Sequence, residues 1–430
     1  MLRPYTRGSI IGRVTTMRLT QQEQKMLSGK EGPAAQKAME IVAALGKIYG
    51  AADLVPVESV QVAGVSYKNL GDAGIQFLRE WARQGARVRV PTLLNPAGAD
   101  MENWHALGIP EEFVLRQLEV LDAYAQMGIP ATCSCAPYLI GNVPRLGDHL
   151  AWSESSAVSF ANSVLGARTN REGGPSALAA AICGRTARYG LHLTENRRAT
   201  HVVRVLCPLR TEVDFGVLGY IVGKRVGSGV PYFSRNGIAW NGEGVSATLR
   251  LRALAAAMAA SGAVALFHVQ GVTPESELDG IIPPDAQEIE IESLEEGYEK
   301  LSAPLRRIDF VSIGCPHASL EELSDIAKYL AGRRVRATLW ITTARATRER
   351  AMAAGWAQAI EKAGGHVVSD TCLVVAPVEA LGVRNMATNS AKMAFYAPSH
   401  SGLQVRLGTM TECLEAAVEG RWVSRRRRAC

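Results

Sequence analysis

The 430-residue sequence lacks the features that mark several classes of protein. It contains no apolar run long enough to cross a membrane, and its amino terminus has no continuous apolar segment like that of a signal peptide. Aromatic residues make up only 6% of the chain, and no basic stripe is interleaved with aromatic side chains. We therefore expect a cytoplasmic protein that binds neither membrane nor nucleic acid.

The eight cysteines have neither the spacing of a disulfide framework nor the paired C-x-x-C knuckles of a zinc ribbon. A long chain without a secretory signal is expected to keep its thiols reduced. The positions of the cysteines relative to the predicted strands then indicate which of them could bind a metal.

The composition is typical of a folded α/β protein, with 47% apolar and 20% charged residues. The net charge of +6 derives in part from the run Arg425 to Arg428, which we interpret as a solvated tail. At this length two or three packed units are expected. The predicted divisions are an amino-terminal extension at 1–16, an α/β unit at 17–140, a loop-rich α/β unit at 141–300, a Rossmann-like βαβαβ unit at 301–402 and a carboxy-terminal segment with a basic tail at 403–430.

Helical and extended periodicities alternate along most of the chain, which is typical of parallel sheets with helices on their faces. One strand is predicted over "LVPVESVQV" and one helix over "ARATRERAMAAGWAQAIEKAGG". Residues 141–197 show little periodicity and are predicted to be a functional loop region around a polar cavity. Residues 273–298 are acidic and are predicted to form a connector that ends in a short helix.

The last third predicts the order strand-helix-strand-helix-strand, which right-handed crossovers would make parallel. Cys315 directly follows the first of these strands and Cys372 closes the third. Because ligands bind beyond the carboxyl ends of parallel strands, both thiols are expected at one edge. Together with Cys133 or Cys135 of "TCSC", they favour a three-thiolate metal site over buried structural thiols. Thiolates select iron–sulfur clusters, copper(I) or zinc, and an open three-thiolate site suits a cluster that keeps one iron free.

Several segments resemble a known family, namely "GVSYKNLGDAG", "TLLNPAGAD", "TCSCAPYLIGNVP", "AWSESSAVSFANSVLGARTNREGGPSAL", "GLHLTENR", "GCPHASLEEL" and "SDTC". They are similar to the large, catalytic subunit of aconitase X, from about Met17 to Gly402. The resemblance implies an aconitase-like α/β fold of several α/β/α units with mainly parallel sheets around a central cleft. It also implies an iron–sulfur hydro-lyase that works on a small hydroxy acid with a separately encoded small swivelling-domain subunit.

The resemblance also implies a set of site residues. The cluster, of the 2Fe-2S, 3Fe-4S or 4Fe-4S type, would be held by Cys135, Cys315 and Cys372, with Cys133 in reserve. Matching motifs assign substrate binding to Gly64, Val65, Ser66, Asn95 and Lys392, and catalysis to Glu154 and Ser155. Arg168 and Arg171 are predicted to assist by bidentate pairing with a carboxylate or phosphate. For His192 and His317, a proton relay and a structural role are both open.

Two reactions fit the resemblance. One converts cis-3-hydroxy-L-proline to 1-pyrroline-2-carboxylate, and the other converts (R)-5-phosphomevalonate to trans-anhydromevalonate 5-phosphate. The alanine- and arginine-rich composition favours the first, whereas Lys68 of "GVSYKNLGDAG" could serve a phosphate. A non-catalytic binding subunit with the same fold and a zinc hydrolase are the alternatives of other classes.

Overall fold

The computed structural model describes residues 17–235 and 247–423. The predicted extension at 1–16, the arginine run at 425–428 and Cys430 lie outside these ranges. The described residues form α-helices at Gln21–Leu27 (α1), Pro33–Ile48 (α2), Tyr67–Arg83 (α3), Glu111–Gln126 (α4), Ser155–Ser163 (α5), Gly174–Cys183 (α6), Glu212–Val226 (α7), Ala247–Gly262 (α8), Glu295–Leu301 (α9), Leu320–Leu330 (α10), Arg345–Ala353 (α11), Trp356–Lys362 (α12), Ala391–Ser401 (α13) and Met410–Glu419 (α14).

The strands of the same ranges lie at Leu54–Pro56 (β1), Ser59–Val62 (β2), Thr92–Leu94 (β3), Leu150–Trp152 (β4), Arg185–Ala187 (β5), His201–Val205 (β6), Pro231–Phe233 (β7), His268–Val269 (β8), Gln287–Ile291 (β9), Phe310–Ile313 (β10), Thr338–Thr343 (β11), His366–Ser369 (β12), Asn385–Thr388 (β13) and Gln404–Leu407 (β14). A first sheet has the order β3-β2-β4, a second β8-β7-β6-β9 and a third β12-β11-β10-β13-β14. Every pair within these three sheets is parallel, and β1 pairs with β5 in the antiparallel sense. The predicted α/β architecture with mainly parallel sheets is confirmed.

The third sheet shows how local sequence produces these elements. At the start of α10, the Ser319 hydroxyl accepts the Glu322 N–H, and the Glu322 carboxylate accepts the Ser319 N–H in return. Such a reciprocal cap satisfies two otherwise unpaired donors and fixes where the helix begins. Leu323, Ile326 and Leu330 then recur at helical spacing and are buried. The loop between β10 and α10, which carries Cys315, is therefore held at both ends.

Residues 141–197 are more regular than their sequence predicts, since they contain β4, α5, α6 and β5. All nine residues of α5 are buried, as are seven of the ten in α6. A helix that is covered on all sides needs small side chains and has no polar face, so the amphipathic periodicity that identifies helices is absent. The prediction of a largely irregular segment was wrong for this reason.

Three further boundaries differ from prediction. "LVPVESVQV" forms two strands, because the Val57 N–H donates to Gly184 O beside β5, whereas the Glu58 N–H donates to His149 O beside β4. The long helix predicted over "ARATRERAMAAGWAQAIEKAGG" is broken into α11 and α12 at Gly355, which has a φ of +77°. The acidic connector contains β9, which lies at the edge of the second sheet with its charged side chains exposed.

The predicted parallel order of β10, β11 and β12 is confirmed by their pairing. β14 pairs with β13, so the third sheet continues beyond residue 402. No helix among residues 17–235 and 247–423 combines the length and apolarity needed to cross a bilayer.

Candidate active site

The candidate site lies where loops from the first sheet meet loops from the third. The Ala97 N–H, after β3, donates to Asp370 O at 2.7 Å, and the Ser66 hydroxyl, after β2, donates to Val375 O at 2.8 Å. Both acceptors follow β12. All these loops leave the carboxyl ends of parallel strands, where ligands bind in sheets of this kind.

A largely buried ion pair joins the two sheets at this point, with 10% of the Lys392 side chain and 13% of the Glu154 side chain exposed. Glu154 caps α5 directly after β4, and Lys392 lies in the first turn of α13 after β13. The Lys392 ammonium pairs with Glu154 Oε1 and donates to Ser156 Oγ at 3.2 Å. Asn95 Nδ2 donates to Glu154 Oε2 at 3.0 Å, and the Ser156 hydroxyl donates to Oε1 at 2.9 Å. The carboxylate is therefore held by groups from three separate loops.

The pair is charged despite its burial. Burial acts to raise the pKa of Glu154, but the Lys392 ammonium and the hydrogen bonds from Lys392, Asn95 and Ser156 outweigh it and lower the pKa to about 2. For Lys392, burial acts to lower the pKa, whereas the Glu154 carboxylate raises it above its ordinary value. The site thus presents one fixed cation and one fixed carboxylate at neutral pH.

Cys135, Cys315 and Cys372 lie beside this pair. Burial raises the pKa of all three thiols, that of Cys372 to about 12. Cys372 also interacts electrostatically with both other thiols, so each thiolate disfavours its neighbour. The Lys392 ammonium acts in the opposite direction on Cys135 and Cys315, and the Arg252 guanidinium does so on Cys315. The three predicted thiols converge next to two buried cations.

Cys133, the other cysteine of "TCSC", has a different environment. Its side chain is fully buried in the apolar core around the first sheet. Burial and the charge of Asp370 raise the pKa of its thiol, while the Ala97 N–H and Arg345 act against them. The "TCSC" loop therefore directs Cys135, and not Cys133, toward the other two thiols.

The donor chemistry of the three thiols fits an iron–sulfur cluster, because thiolates are the ligands that hold such clusters. Among residues 17–235 and 247–423, no three His, Cys, Asp or Glu donors are close enough to enclose one metal ion. Cys135 is buried and Cys315 and Cys372 are partly buried. The adjacent cations suit all three to bind a cluster because the bound ligand is the thiolate.

The predicted substrate-binding segment at 64–66 lines the same junction. Gly64 has a φ of +75°, a conformation that favours glycine. Val65 is buried and its carbonyl accepts from Gln117 Nε2 at 3.0 Å, while Ser66 caps α3. Asn95 Oδ1 is buried without a hydrogen-bond partner in the described residues. A buried acceptor without a partner costs free energy, so this oxygen is suited to receive a donor from a ligand.

Arg168 is not brought to these residues. It bridges to His149 at the amino end of β4, and its guanidinium donates to His192 O at 3.1 Å and Thr194 Oγ1 at 2.9 Å. His192 lies in the same place, with its Nδ1 2.9 Å from that of His149. Arg171 is exposed. Glu154, by contrast, follows the carboxyl end of the same strand.

Sequence reasoning named Ser155 but missed Ser156. Ser155 is buried in the first turn of α5, whereas Ser156 supplies the hydroxyl that contacts both Glu154 and Lys392. The sequence contains an indication of this contact, because the side chain of an N-cap residue such as Glu154 accepts a hydrogen bond from the residue two positions later.

Comparisons with known proteins extend over nearly the whole chain. Models of the aconitase X first, second and third domains match residues 16–195, 199–299 and 308–419. The phosphomevalonate dehydratase large subunit of Methanothermobacter thermautotrophicus is 50% identical over 386 residues, covering 90% of this chain and 95% of that protein. The cis-3-hydroxy-L-proline dehydratase of Pseudomonas aeruginosa is 36% identical over 416 residues, covering 94% of this chain and 70% of that protein. A crystal structure of Thermococcus kodakaraensis aconitase X in its holo-form has a TM-score of 0.85 at 48% identity, covering 93% of this chain and 100% of the other.

Proposed function

We propose that this chain, which belongs to the aconitase X family and is a dehydratase large subunit, acts on (R)-5-phosphomevalonate. A hydro-lyase activity follows from the family, while the substrate is the proposal. The single observation that carries the site assignment is the buried Glu154–Lys392 pair next to three convergent thiols.

The choice of substrate rests on the relatives and departs from the preference drawn from composition. Relatives named for phosphomevalonate share more identical residues with the chain than those named for hydroxyproline. The chain also covers nearly their full length, but only about 70% of the hydroxyproline relative from Pseudomonas aeruginosa. cis-3-Hydroxy-L-proline, which the composition favoured, is the second candidate.

A phosphate needs a cation near the substrate-binding segment. Lys68 lies in the first turn of α3, two residues after the capping Ser66. Its ammonium donates to Ala376 O at 3.1 Å and to Glu379 at 2.7 Å. An ammonium carries three donors, so one donor of Lys68 is left for a substrate phosphate. We therefore assign Lys68 to the phosphate group.

Dehydration removes a proton from carbon and expels the neighbouring hydroxyl. An iron–sulfur cluster held by Cys135, Cys315 and Cys372 would supply a Lewis acid for that hydroxyl. Glu154 is the proposed proton acceptor. Its pKa of about 2 reflects its pairing with Lys392, so its basicity increases when an acidic group of the substrate draws the ammonium away.

Two donors of Lys392 have protein partners, and the third is available for the substrate carboxylate. Asn95 keeps the Glu154 carboxylate in place with its amide and offers Oδ1 to a substrate hydroxyl. Ser155, buried beside Glu154, is the alternative proton acceptor. A fixed constellation of this kind lowers the entropic cost of reaching the reactive geometry.

A separate small subunit is part of the proposal, because the relatives that the chain covers nearly in full are named large subunits. The decisive experiment is anaerobic co-purification of the chain with its candidate small subunit, followed by turnover assays on both substrates. We expect turnover of 5-phosphomevalonate, and a rise in KM for that substrate in Lys68→Met. Turnover of cis-3-hydroxy-L-proline alone would overturn the substrate proposal.

Iron and acid-labile sulfide analysis of the same preparation tests the ligand assignment. Cys135→Ser, Cys315→Ser and Cys372→Ser are each expected to lower the cluster content, whereas Cys133→Ser serves as the control within the same loop. A colourless wild-type protein after anaerobic reconstitution would contradict the assignment of the three thiols.

A further inference from the structure

His317 lies at the point where the three cysteine-bearing loops meet. It belongs to the loop of Cys315, and its side chain is buried, with 1% of the residue surface exposed. Its backbone N–H donates to Cys135 Sγ, with 3.2 Å between nitrogen and sulfur. Its ring reaches the remaining loop, since Nε2 is 3.0 Å from Thr371 O, next to Cys372.

The protonation of the ring follows from its partners. A carbonyl oxygen only accepts, so Nε2 carries the hydrogen and donates to Thr371 O. Nδ1 is then an acceptor, and the Ser134 hydroxyl, 3.3 Å away, donates to it. Ser134 Oγ in turn accepts the Ala136 N–H at 3.1 Å. Both ring nitrogens are occupied, and each ties His317 to a residue adjacent to one of the predicted ligands.

The loop of His317 is itself held from behind by Arg252. The guanidinium Nη2 donates to His317 O at 2.6 Å and to Pro316 O at 3.3 Å, and Nη1 pairs with Glu322 at 3.0 Å. All these groups are buried. The histidine is thus anchored to α8 and α10, and its ring and N–H extend the anchorage to the other two loops.

From these contacts we propose that His317 is the positioning residue that holds the three cysteine-bearing loops together at the candidate site. That these loops carry a cluster rests on the proposed function. Side chains and amides that fix ligand orientation typically change metal affinity or activity about 10- to 100-fold when they are removed. The role differs from a proton relay, because both ring nitrogens already bond protein groups.

The test uses the full chain with its small subunit, three substitutions of His317 and two comparison variants. His317→Leu removes both ring bonds at similar volume, His317→Gln keeps a donor near the position of Nε2, and His317→Asn keeps an acceptor near that of Nδ1. His268→Leu is the matched control, because His268 is equally buried and donates from Nε2 to a carbonyl, Arg197 O, in the second sheet. Ser134→Ala is a milder variant that breaks the Nδ1 bond without altering the histidine.

The first readout is the rate at which a chelator removes iron from the reconstituted protein, followed by the loss of charge-transfer absorbance. We expect His317→Leu to lose iron about 10- to 100-fold faster than the wild type, with partial rescue in His317→Gln and His317→Asn. His268→Leu should match the wild type. Equal rates in His317→Leu and wild type, with a normal cluster in both, would overturn the proposal and leave the proposed function intact.

The second readout needs no cluster. In the apo-protein, iodoacetamide labelling followed by peptide mass spectrometry gives the reaction rate of each thiol. We expect the labelling rates of Cys135, Cys315 and Cys372 all to increase in His317→Leu and Ser134→Ala. Cys183, which is buried in the apolar core around the first sheet, should keep its rate. Unchanged rates at the three thiols would overturn the positioning role, even if the wild type assembled no cluster and the proposed function failed.

Discussion

A buried cation from another element lies near each end of strand β4. The two cations differ in how many of their N–H donors have hydrogen-bond partners. At the amino end, all the guanidinium nitrogens of Arg197 have partners: Nε and Nη2 bond Glu275, Nη1 bonds Leu191 O and Asn162 Oδ1, and Nη2 also bonds Asn162 O. At the carboxyl end, the three donors of Lys392 have two partners among the residues that the structure describes, Glu154 and Ser156.

We interpret this difference as the one between a structural ion pair at the amino end and the proposed substrate-binding pair at the carboxyl end. Arg197 joins α5, next to the first sheet, to the segment around Glu275 near the second sheet, and leaves no donor for a ligand. Lys392 joins the first and third sheets, and one of its donors has no partner among residues 17–235 and 247–423. The same holds for Oδ1 of Asn95, whose amide nitrogen bonds the other oxygen of Glu154. Buried charges are costly unless they are paired, so the incomplete bonding of Lys392 supports the proposal that a substrate group occupies its third donor.

The strongest test of this contrast is to neutralise the carboxylate at each end. Glu154→Gln is expected to lower kcat by about 10²- to 10⁴-fold, the usual contribution of a group that transfers a proton. Glu275→Gln removes the matching charge at the amino end and is expected to leave kcat of the folded protein nearly unchanged while lowering Tm. Steady-state assays at a temperature where both variants are folded measure this. Equal losses of kcat would remove the distinction.

The next largest effect is expected in stability. Arg197→Leu leaves the buried Glu275 with only the more distant Arg168, whose Nη2 lies 3.9 Å from Glu275 Oε1, as a cationic partner. The loss is therefore expected to approach the roughly 3–5 kcal/mol that is typical of breaking a buried pair. The double variant Arg197→Leu/Glu275→Leu removes both charges and should recover most of that loss. Urea unfolding of the three proteins tests the prediction. A single variant as stable as the wild type would show that the pair does not hold the two sheets together.

A pH titration of stability should separate the two ends further. Burial, followed by the charges of His149, Arg197 and Arg168, lowers the pKa of His192 to about 3. The unfolded chain, with an ordinary histidine pKa near 6.5, then binds more protons between about pH 6.5 and 3. Stability therefore falls as the pH falls through that window, by up to about 1.4 kcal/mol per pH unit for one proton.

Glu154 also makes the protein less stable as the pH falls, but at lower pH, because its pKa is lowered from 4.5 to about 2. Its contribution is complete above pH 4.5 and is lost as the pH falls toward 2. Mild acid should consequently weaken the amino end first. His192→Gln is expected to flatten the dependence of the urea midpoint on pH between 6.5 and about 4, and an unchanged slope would contradict the prediction.

The smallest effect is expected for Ser156. Ser156→Ala removes a hydroxyl that bonds both Glu154 and Lys392, at a cost near 1 kcal/mol, and should reduce kcat only several-fold because the ion pair persists. Ser155→Ala is the neighbouring comparison. If Ser155→Ala lowers kcat as strongly as Glu154→Gln, the proton acceptor is Ser155 and the role of Glu154 is to bind Lys392 and the substrate.

Much of the third sheet could be predicted because its signals are local. Each apolar run and each amphipathic helix spans few residues, and the carboxyl ends of β10 and β12 placed Cys315 and Cys372 at one edge. The helices of residues 141–197 could not be predicted in this way, because α5 is buried on all sides and lacks the amphipathic periodicity from which a helix is recognised. Ser156 was not predicted, although it lies only two positions after Glu154, which was.

By itself, then, the sequence determined the α/β class, the order of elements in the last third and the motifs that carry the thiols, Glu154 and Lys392. Only the tertiary structure decided that Lys392 pairs with a carboxylate 238 residues away, that Cys133 is buried in the core around the first sheet, and that Arg168 lies at the opposite end of β4. The physical reason is that secondary structure follows from short-range periodicity, whereas hydrogen bonds and ion pairs depend on which strand ends the packing of the sheets brings together.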